Sequence, residues 1–235
     1  MPIGPDPGVP GMRERLSHAD FLASARASAP AGFRMRSHAD FEATLERILR
    51  RHRAGDPLHV FAYGSLMWNP ALEHDAQFRA RIHGWHRSFC IRNFVGRGTP
   101  ECPGLMLALD RGGSCNGMLL RIPAPKVGEE VALLWRREMT WGTYDARWMT
   151  AWVDSVPVQA LAFVVDRRHE RYVGTLSPQE TARLINCGRG VLGSCRNYFD
   201  ATVQKLRELG IRDVAMERLH DVVHAHQASG DALFL

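Results

Sequence analysis

The feature that most constrains the fold is a short apolar segment that runs directly into a Tyr-Gly-Ser turn. Leu58, Val60 and Phe61 have the high β propensity of a buried strand, and Gly64 lets the backbone turn where a side chain would clash. Such a turn directs successive backbone N–H groups into one concavity, which suits it to hold a carboxylate or a developing oxyanion. An ordinary strand-to-loop corner has the same local pattern, so the turn alone leaves both interpretations open.

A second feature is an apolar helical stripe that ends on a carboxylate. The stripe runs from Val127 to Leu134 at helical spacing, and Glu138 occupies its next position. The same pattern directs Arg136 and Arg137 elsewhere. Desolvation on an inward face raises the pKa of a carboxylate towards the range that is useful to a general base. An ion pair with an arginine, or a helix that stops early and leaves Glu138 in solvent, would produce the same pattern.

Several sequence blocks occur together in one order and spacing. They are Phe-Ala-Tyr-Gly-Ser-Leu-Met-Trp-Asn-Pro at 61–70, His-Gly-Trp-His-Arg at 83–87, Pro-Gly at 103–104 with Ala-Leu at 108–109, Arg-Glu-Met-Thr-Trp-Gly-Thr-Tyr at 137–144, and Gly-Val-Leu-Gly at 190–193 followed by Tyr198. The set covers about residues 57–225 and resembles the ChaC-type γ-glutamylcyclotransferases. The bacterial members that look most similar are described as acting on glutathione.

This resemblance implies an α+β fold, a small γ-glutamylcyclotransferase-like β-barrel with flanking helices, without a metal or an organic cofactor. It implies that Glu138 is the catalytic residue and that the backbone N–H groups of the turn hold the substrate. The turn residues are Tyr63, Gly64, Ser65, Leu66 and Met67. Arg92, Tyr144 and Tyr198 are candidate pocket-wall groups, and each also suits a structural hydrogen-bonding role.

The reaction that the resemblance implies is cleavage of glutathione to 5-oxoproline and cysteinylglycine. The α-amine of the substrate attacks its own γ-carbonyl, with Glu138 as general acid and base, so the enzyme would be a lyase. Cys195 stands where family members often have asparagine, which leaves the substrate range open. One alternative is a cyclotransferase for other γ-glutamyl amines. Another is a non-catalytic protein that binds γ-glutamyl metabolites.

The chain divides into four predicted parts. Residues 1–35 are rich in Pro, Gly and Ala without apolar periodicity, which predicts a mobile N-terminal tail, and a repeated Ser-His-Ala-Asp-Phe indicates a second helix start near residue 17. An amphipathic helix capped by Ser37 lies within 36–56, the cyclotransferase domain spans 57–225, and 226–235 form a C-terminal tail. We expect strands at 58–62, 85–91, 105–109, 118–122 and 158–165, and late helices after Ser177 and near 197–209 and 214–224.

Composition sets broad limits on function. The 235 residues are 45% hydrophobic and 23% charged, which suits one sizeable core. The net charge of +5 includes arginines at 47–53, but these fall on the outer face of the amphipathic helix, so we expect no nucleic-acid partner. No apolar run is long enough to span a bilayer, and no secretory signal pattern opens the chain. The five cysteines, odd in number and without CxxC spacing, favour reduced thiols in a cytoplasm over a disulfide framework.

Three further patterns are weak indications of function. Gly-Arg-Gly-Val-Leu-Gly at 188–193 matches a dinucleotide-binding motif, but a helix precedes it where that fold needs a strand. The pairs His83/His86 and His224/His226 have no companions at the spacing of metal ligands. Cys187 has no identifiable base nearby and is predicted, like Cys195, to be a buried structural thiol.

Overall fold

The computed structural model describes residues 11–17, 33 and 35–230, and within them it contains six helices and seven strands. The helices are α1 (Met12–Ser17), α2 (His38–Leu49), α3 (Val127–Glu138), α4 (Pro178–Cys187), α5 (Cys195–Glu208) and α6 (Val214–Gly230). The strands are β1 (Leu58–Ala62), β2 (Ala76–Asn93), β3 (Gly104–Ile122), β4 (Tyr144–Val153), β5 (Val156–Val165), β6 (Arg189–Gly190) and β7 (Gly193–Ser194). Short 3₁₀ turns occur at Ser65–Met67 and Ala124–Lys126.

Strands β1 to β5 close into a barrel in the order β1-β3-β2-β4-β5. The long antiparallel β2–β3 hairpin forms one wall, and a parallel contact between Val60 and Leu161 joins β1 to β5. Closure pairs the backbone groups of every strand and leaves apolar side chains inside. The predicted α+β fold with a small barrel and flanking helices is confirmed.

The strands differ from the predicted ones in length and number: β2 begins at Ala76, well before the predicted 85–91, and the two-residue strands β6 and β7 were not predicted. The segments predicted at 105–109 and 118–122 are parts of the single strand β3, and Gly112 and Gly113 adopt positive φ angles of 103° and 67° within it. Glycine accepts these angles without steric cost, so the strand bends rather than ends. Strand β4 was not predicted, because its side chains are mostly half-buried and do not form an apolar run.

The predicted helix starts are correct where a side chain caps the helix. Ser37 Oγ accepts the Asp40 N–H at 3.1 Å at the start of α2, and Ser177 Oγ accepts the Glu180 N–H at 3.2 Å at the start of α4. The glycine-rich motif at 188–193 forms the tight β6–β7 hairpin after α4, not a strand-to-helix phosphate loop. Helix α6 continues to Gly230, so residues 226–230 are helical rather than part of a tail.

The prediction of a mobile N-terminal tail is wrong for α1. Leu16 is only 2% exposed, and Arg13 donates two hydrogen bonds of 2.7 Å to the fully buried carboxylate of Glu130 on α3. A buried carboxylate requires such a partner, because an unpaired charge is costly to remove from water. The predicted helix start near residue 17 and the rest of the predicted tail up to residue 32 fall almost wholly on residues that the structure does not describe. The predicted C-terminal tail at 231–235 also falls outside the described residues.

None of the described helices is both long enough and apolar enough to cross a membrane.

Candidate active site

The turn after β1 leaves two backbone N–H groups without an acceptor in the described protein. The Met67 N–H donates to the Gly64 carbonyl at 2.9 Å and closes the 3₁₀ turn. The N–H groups of Ser65 and Leu66 come before this first hydrogen bond of the turn and therefore have no carbonyl within the turn to donate to. Glycine at position 64 permits a close approach, since a Cβ here would lie 3.2 Å from Leu107 Cδ2 and that side chain would have to shift. The turn therefore presents free donors to the space beside it.

Arg87 holds this turn in place from within the barrel wall. Its Nε donates to the Tyr63 carbonyl at 2.6 Å, its Nη1 donates to Asp213 at 2.8 Å, and its Nη2 donates to the Asn116 carbonyl. The Arg87 side chain is only 2% exposed, so its charge depends on Asp213. Bonds from one rigid guanidinium to three segments fix the direction in which the turn faces.

Glu138 lies at the end of α3, with its side chain 13% exposed. Burial raises the pKa of Glu138, and the charge and hydrogen bond of the neighbouring Arg137 oppose that shift. The Arg137 Nε lies 3.0 Å from Glu138 Oε1, so the expectation that Arg137 points elsewhere is wrong. The carboxylate is thus buried, paired on one side, and titrates above its usual range.

Arg137 connects this carboxylate to the turn. Besides Glu138, its guanidinium donates to Ser65 Oγ at 2.9 Å and to the carbonyls of Asn69 and Pro70 at 2.6 and 3.1 Å. The guanidinium of Arg137 therefore bonds the carboxylate of Glu138 through Nε and the side chain of Ser65, next to the free N–H groups, through Nη2. Sequence reasoning missed this residue because neighbours in a helix do not normally face each other, although a long side chain at the last turn can fold back.

Most of the predicted site residues surround one small cavity next to this turn. Its wall consists of Tyr63, Gly64, Ser65, Leu66, Met106, Leu107, Glu138, Tyr144, Phe163 and Tyr198. Met67 and Arg92 were predicted in the site but do not line this cavity, and Met106, Leu107 and Phe163 were missed. The volume open to the centre of a water molecule is about 20 Å³, so this conformation has room for one or two waters.

The tyrosines in the wall are fixed and neutral. Tyr63 donates its hydroxyl hydrogen to the Phe163 carbonyl at 2.8 Å, and Tyr144 donates to the Leu107 carbonyl at 2.9 Å. Burial raises the pKa of both tyrosines and of Tyr198. They can therefore shape the cavity and offer hydroxyl groups, but Glu138 is the only carboxylate in its wall.

The cysteines differ from the sequence expectation. Cys102 forms a disulfide bond with Cys187, with a Cα–Cα distance of 5.7 Å, so the prediction of reduced thiols is wrong for this pair. Cys90, Cys115 and Cys195 are free and buried. Burial raises the pKa of Cys195 to about 11, which keeps it a thiol rather than a nucleophilic thiolate.

Cys195, the position at which the family pattern has asparagine, does not line the cavity. Its Sγ donates to the Leu105 carbonyl at 3.1 Å and accepts the Leu105 N–H at 3.3 Å. An asparagine amide offers the same pair of donor and acceptor, so this substitution preserves a link between α5 and β3.

One histidine cluster has the composition of a metal site. His224 Nε2 lies 3.2 Å from Asp200 Oδ1, and His220 lies one turn earlier on α6. The fold therefore brings together three potential metal ligands that the sequence spacing did not reveal. Arg196 already bonds Asp200 at 2.8 Å and His224 at 2.7 Å. The cluster is therefore internally paired, and it contributes nothing to the cavity wall.

Solved structures with the same architecture are γ-glutamylcyclotransferase folds. The crystal structure of a gamma-glutamyl cyclotransferase specific to glutathione from yeast matches with a TM-score of 0.67 and 20% identity, over 72% of this chain and 96% of that one. At this identity the match shows the fold alone. The closed barrel that carries a buried carboxylate thus defines the structural class of this protein.

Sequence comparisons identify the family within that class. The family model described as ChaC-like protein matches residues 58–226. A glutathione-specific gamma-glutamylcyclotransferase of Escherichia coli (strain K12) is 41% identical over 164 residues, 69% of this chain and 71% of that protein. One from Schizosaccharomyces pombe is 30% identical over 174 residues, 65% and 84% of the respective chains. The protein belongs to the ChaC-like family, which confirms the resemblance found in the sequence blocks.

Proposed function

We propose that this protein is a γ-glutamylcyclotransferase that cleaves glutathione to 5-oxoproline and cysteinylglycine. The observation that carries the proposal is the buried carboxylate of Glu138 held beside the free N–H groups of Ser65 and Leu66. The names of the Escherichia coli and Schizosaccharomyces pombe relatives support glutathione as the substrate.

Intramolecular cyclisation requires one base and one oxyanion site. The α-amine of the γ-glutamyl group arrives as an ammonium, and Glu138 removes a proton to make it nucleophilic. The amine nitrogen attacks the γ-carbonyl carbon and closes a five-membered ring. The N–H groups of Ser65 and Leu66 stabilise the negative charge on the carbonyl oxygen.

Collapse of that intermediate breaks the γ-amide bond. Protonated Glu138 returns its proton to the leaving nitrogen and the C–N bond to the peptide breaks. The regenerated carboxylate then takes the second proton from the ring nitrogen and passes it to the departing amine, so that 5-oxoproline and the peptide ammonium are released. Neither water nor an outside nucleophile is consumed, which agrees with the small size of the cavity. The raised pKa of Glu138 suits it to both proton transfers.

Two alternatives differ in substrate or in class. A cyclotransferase for other γ-glutamyl amines would use the same residues. A protein that only binds γ-glutamyl metabolites is disfavoured, because a desolvated carboxylate would oppose binding of the substrate carboxylates without any benefit to a binder. We also propose that the protein acts in the cytoplasm; the three free cysteines agree with this location, whereas the Cys102–Cys187 disulfide weighs against it.

The experiment is incubation of the purified protein with glutathione and, in parallel, with γ-glutamylalanine, followed by chromatographic measurement of 5-oxoproline. We expect 5-oxoproline and cysteinylglycine in equal amounts from glutathione and much less product from γ-glutamylalanine. Equal turnover of both would favour the broader cyclotransferase. Glutathione binding without any 5-oxoproline would favour the binding protein.

A further inference from the structure

Arg171 is a buried cation whose side chain makes no hydrogen bond or ion pair with the described residues. It is 7% exposed, its Nε is buried without a hydrogen-bond acceptor, and its guanidinium lies 5.1 Å from the centre of the Phe33 ring. Burial lowers the pKa of Arg171 to about 10, so it remains charged at neutral pH. Burying a charge without a carboxylate is costly, and an aromatic face compensates only part of that cost.

Arg92 repeats this arrangement beside it. Its backbone N–H donates to the Arg171 carbonyl at 2.8 Å next to the Ile91–Tyr172 bridge, so the antiparallel register places Arg92 opposite Arg171. The Arg92 Nε is also buried without an acceptor. Neither guanidinium forms an ion pair with a carboxylate in the part of the chain that the structure describes, and the charge of Glu170 acts on Arg171 only at longer range.

Four other buried or half-buried arginines near the barrel have carboxylate partners. The pairs are Arg13 with Glu130, Arg87 with Asp213, Arg137 with Glu138 and Arg167 with Asp110. Half-buried Arg36, Arg97 and Arg136 lack a carboxylate but donate to backbone carbonyls instead. The side chains of Arg92 and Arg171 have no hydrogen-bond acceptor of either kind among the described residues, and an anionic ligand can supply one.

The pair lies within reach of the candidate active site. Ile91 pairs with Met106, which lines the cavity, and the segment that carries Arg171 lies on the other side of β2. With strands about 4.8 Å apart, Arg171 is about 10 Å from the Met106 backbone. Arg171 and the cavity residue Tyr144 also interact electrostatically.

A peptide substrate has to extend beyond the cavity. The space of about 20 Å³ is far too small for a tripeptide, so only the reacting γ-glutamyl end can occupy an enlarged form of it. Three extended residues span about 10 Å, which matches the separation from Met106 to Arg171.

We propose that Arg171, with Arg92 beside it, binds the C-terminal carboxylate of the peptide substrate. A guanidinium matches a carboxylate through two parallel hydrogen bonds, and the buried setting strengthens them. The contact makes Arg171 a specificity-determining residue that favours peptides with a free C-terminal carboxylate. This inference rests on the proposed function and extends it to the leaving-group side of the site.

The test compares glutathione with its glycyl monoethyl ester, which lacks only the C-terminal charge. We expect the wild-type protein to prefer glutathione by about 10- to 100-fold in kcat/KM, the range of a hydrogen bond between charged groups. Arg171→Met should reduce this preference to within about threefold while leaving kcat/KM for the ester nearly unchanged. Arg171→Lys should restore part of the preference, because it keeps the charge.

A matched control is Arg168→Met, which removes the same charge from a side chain that is 84% exposed and paired with Asp166. It should keep the full preference. The melting temperature of Arg171→Met should equal or exceed that of the parent, since an unpartnered buried charge is removed. Equal losses on both substrates, no preference in the wild type, or a melting temperature more than about 5 °C lower would overturn the proposal and indicate a structural role.

A parallel calorimetric titration separates this inference from the proposed function. If neither peptide yields 5-oxoproline, the proposed function fails, and binding alone tests the arginine pair. Tighter binding of glutathione than of the ester by wild type, but not by Arg171→Met, would still support the carboxylate site. Equal binding of the two compounds would refute it.

Discussion

Replacing Glu138 by glutamine removes the proposed base and keeps the shape of the side chain. Loss of a positioned general base costs about 100- to 10,000-fold in rate. We expect the upper end here, because Glu138 is the only carboxylate in the cavity wall and the wall tyrosines have raised pKa values. The glutamine can still accept the Arg137 Nε–H through its amide oxygen, so the turn should keep its position.

The same substitution has a defined effect on stability. Burial raises the folded-state pKa of Glu138, so the folded protein holds this proton more tightly than the unfolded chain does. Stability therefore falls as pH rises from the unfolded pKa of about 4.3 through the raised folded pKa, and it stays reduced at pH 7. Glutamine is neutral at every pH, so the melting temperature of Glu138→Gln should equal or slightly exceed that of the parent at pH 7. The difference in melting temperature should be smaller at pH 4. A gain of about 1 kcal/mol corresponds to about 2–4 °C.

The assay measures 5-oxoproline release, glutathione binding by calorimetry and thermal melting on one preparation. Glu42→Gln, at an exposed position of α2, is the matched control and should retain activity within about twofold, as surface substitutions do. A folded Glu138→Gln protein that binds glutathione and turns it over within tenfold of the parent would refute the assignment of the base.

Three further predictions concern the residues around this carboxylate and the N-terminal helix. Arg137→Met should move the acidic limb of the kcat/KM profile to higher pH, because Arg137 lowers the pKa of Glu138; an unmoved limb would contradict the pairing. Gly64→Val should cost about 100-fold in kcat/KM and Ser65→Ala less than about tenfold, because only the first distorts the backbone donors; similar mild losses would show that the turn is scaffold. Arg13→Met should destabilise the fold by about 2–3 kcal/mol and lower the melting temperature by about 5–10 °C, whereas an unchanged melt would show that α1 is dispensable.

Local patterns predicted the parts of the site that depend on a few neighbouring residues. The strand at 58–62 and the turn after it follow from β propensity and one glycine, and the helical period placed Glu138 at the inward end of α3. Caps at Ser37 and Ser177 fixed two helix starts. β propensity, helical periodicity and capping each depend on residues within about one helical turn or a few strand positions of one another. A local stretch of sequence is therefore enough to apply them.

The longest strands show where local reasoning is insufficient. Glycines at 112 and 113 resemble a turn in sequence, yet the β2–β3 ladder continues past them and the strand only bends. β4 lacks a clear apolar alternation because it is half-buried, and pairing with β5 along its whole length defines it instead. Pairing energy from a partner strand therefore overrides the local signal in both cases.

The sequence by itself determined the family, the barrel class, the donor turn and the position of the carboxylate. Only the tertiary structure decided which distant groups meet these elements: Arg137 with Ser65, Arg13 with Glu130, Cys102 with Cys187, and the opposed Arg92 and Arg171. The members of these pairs are mostly tens of residues apart in the chain, and barrel closure brings them together. Periodicity and capping reflect interactions between residues that are near in the sequence. Whether a buried charge has an oppositely charged partner depends instead on the whole fold.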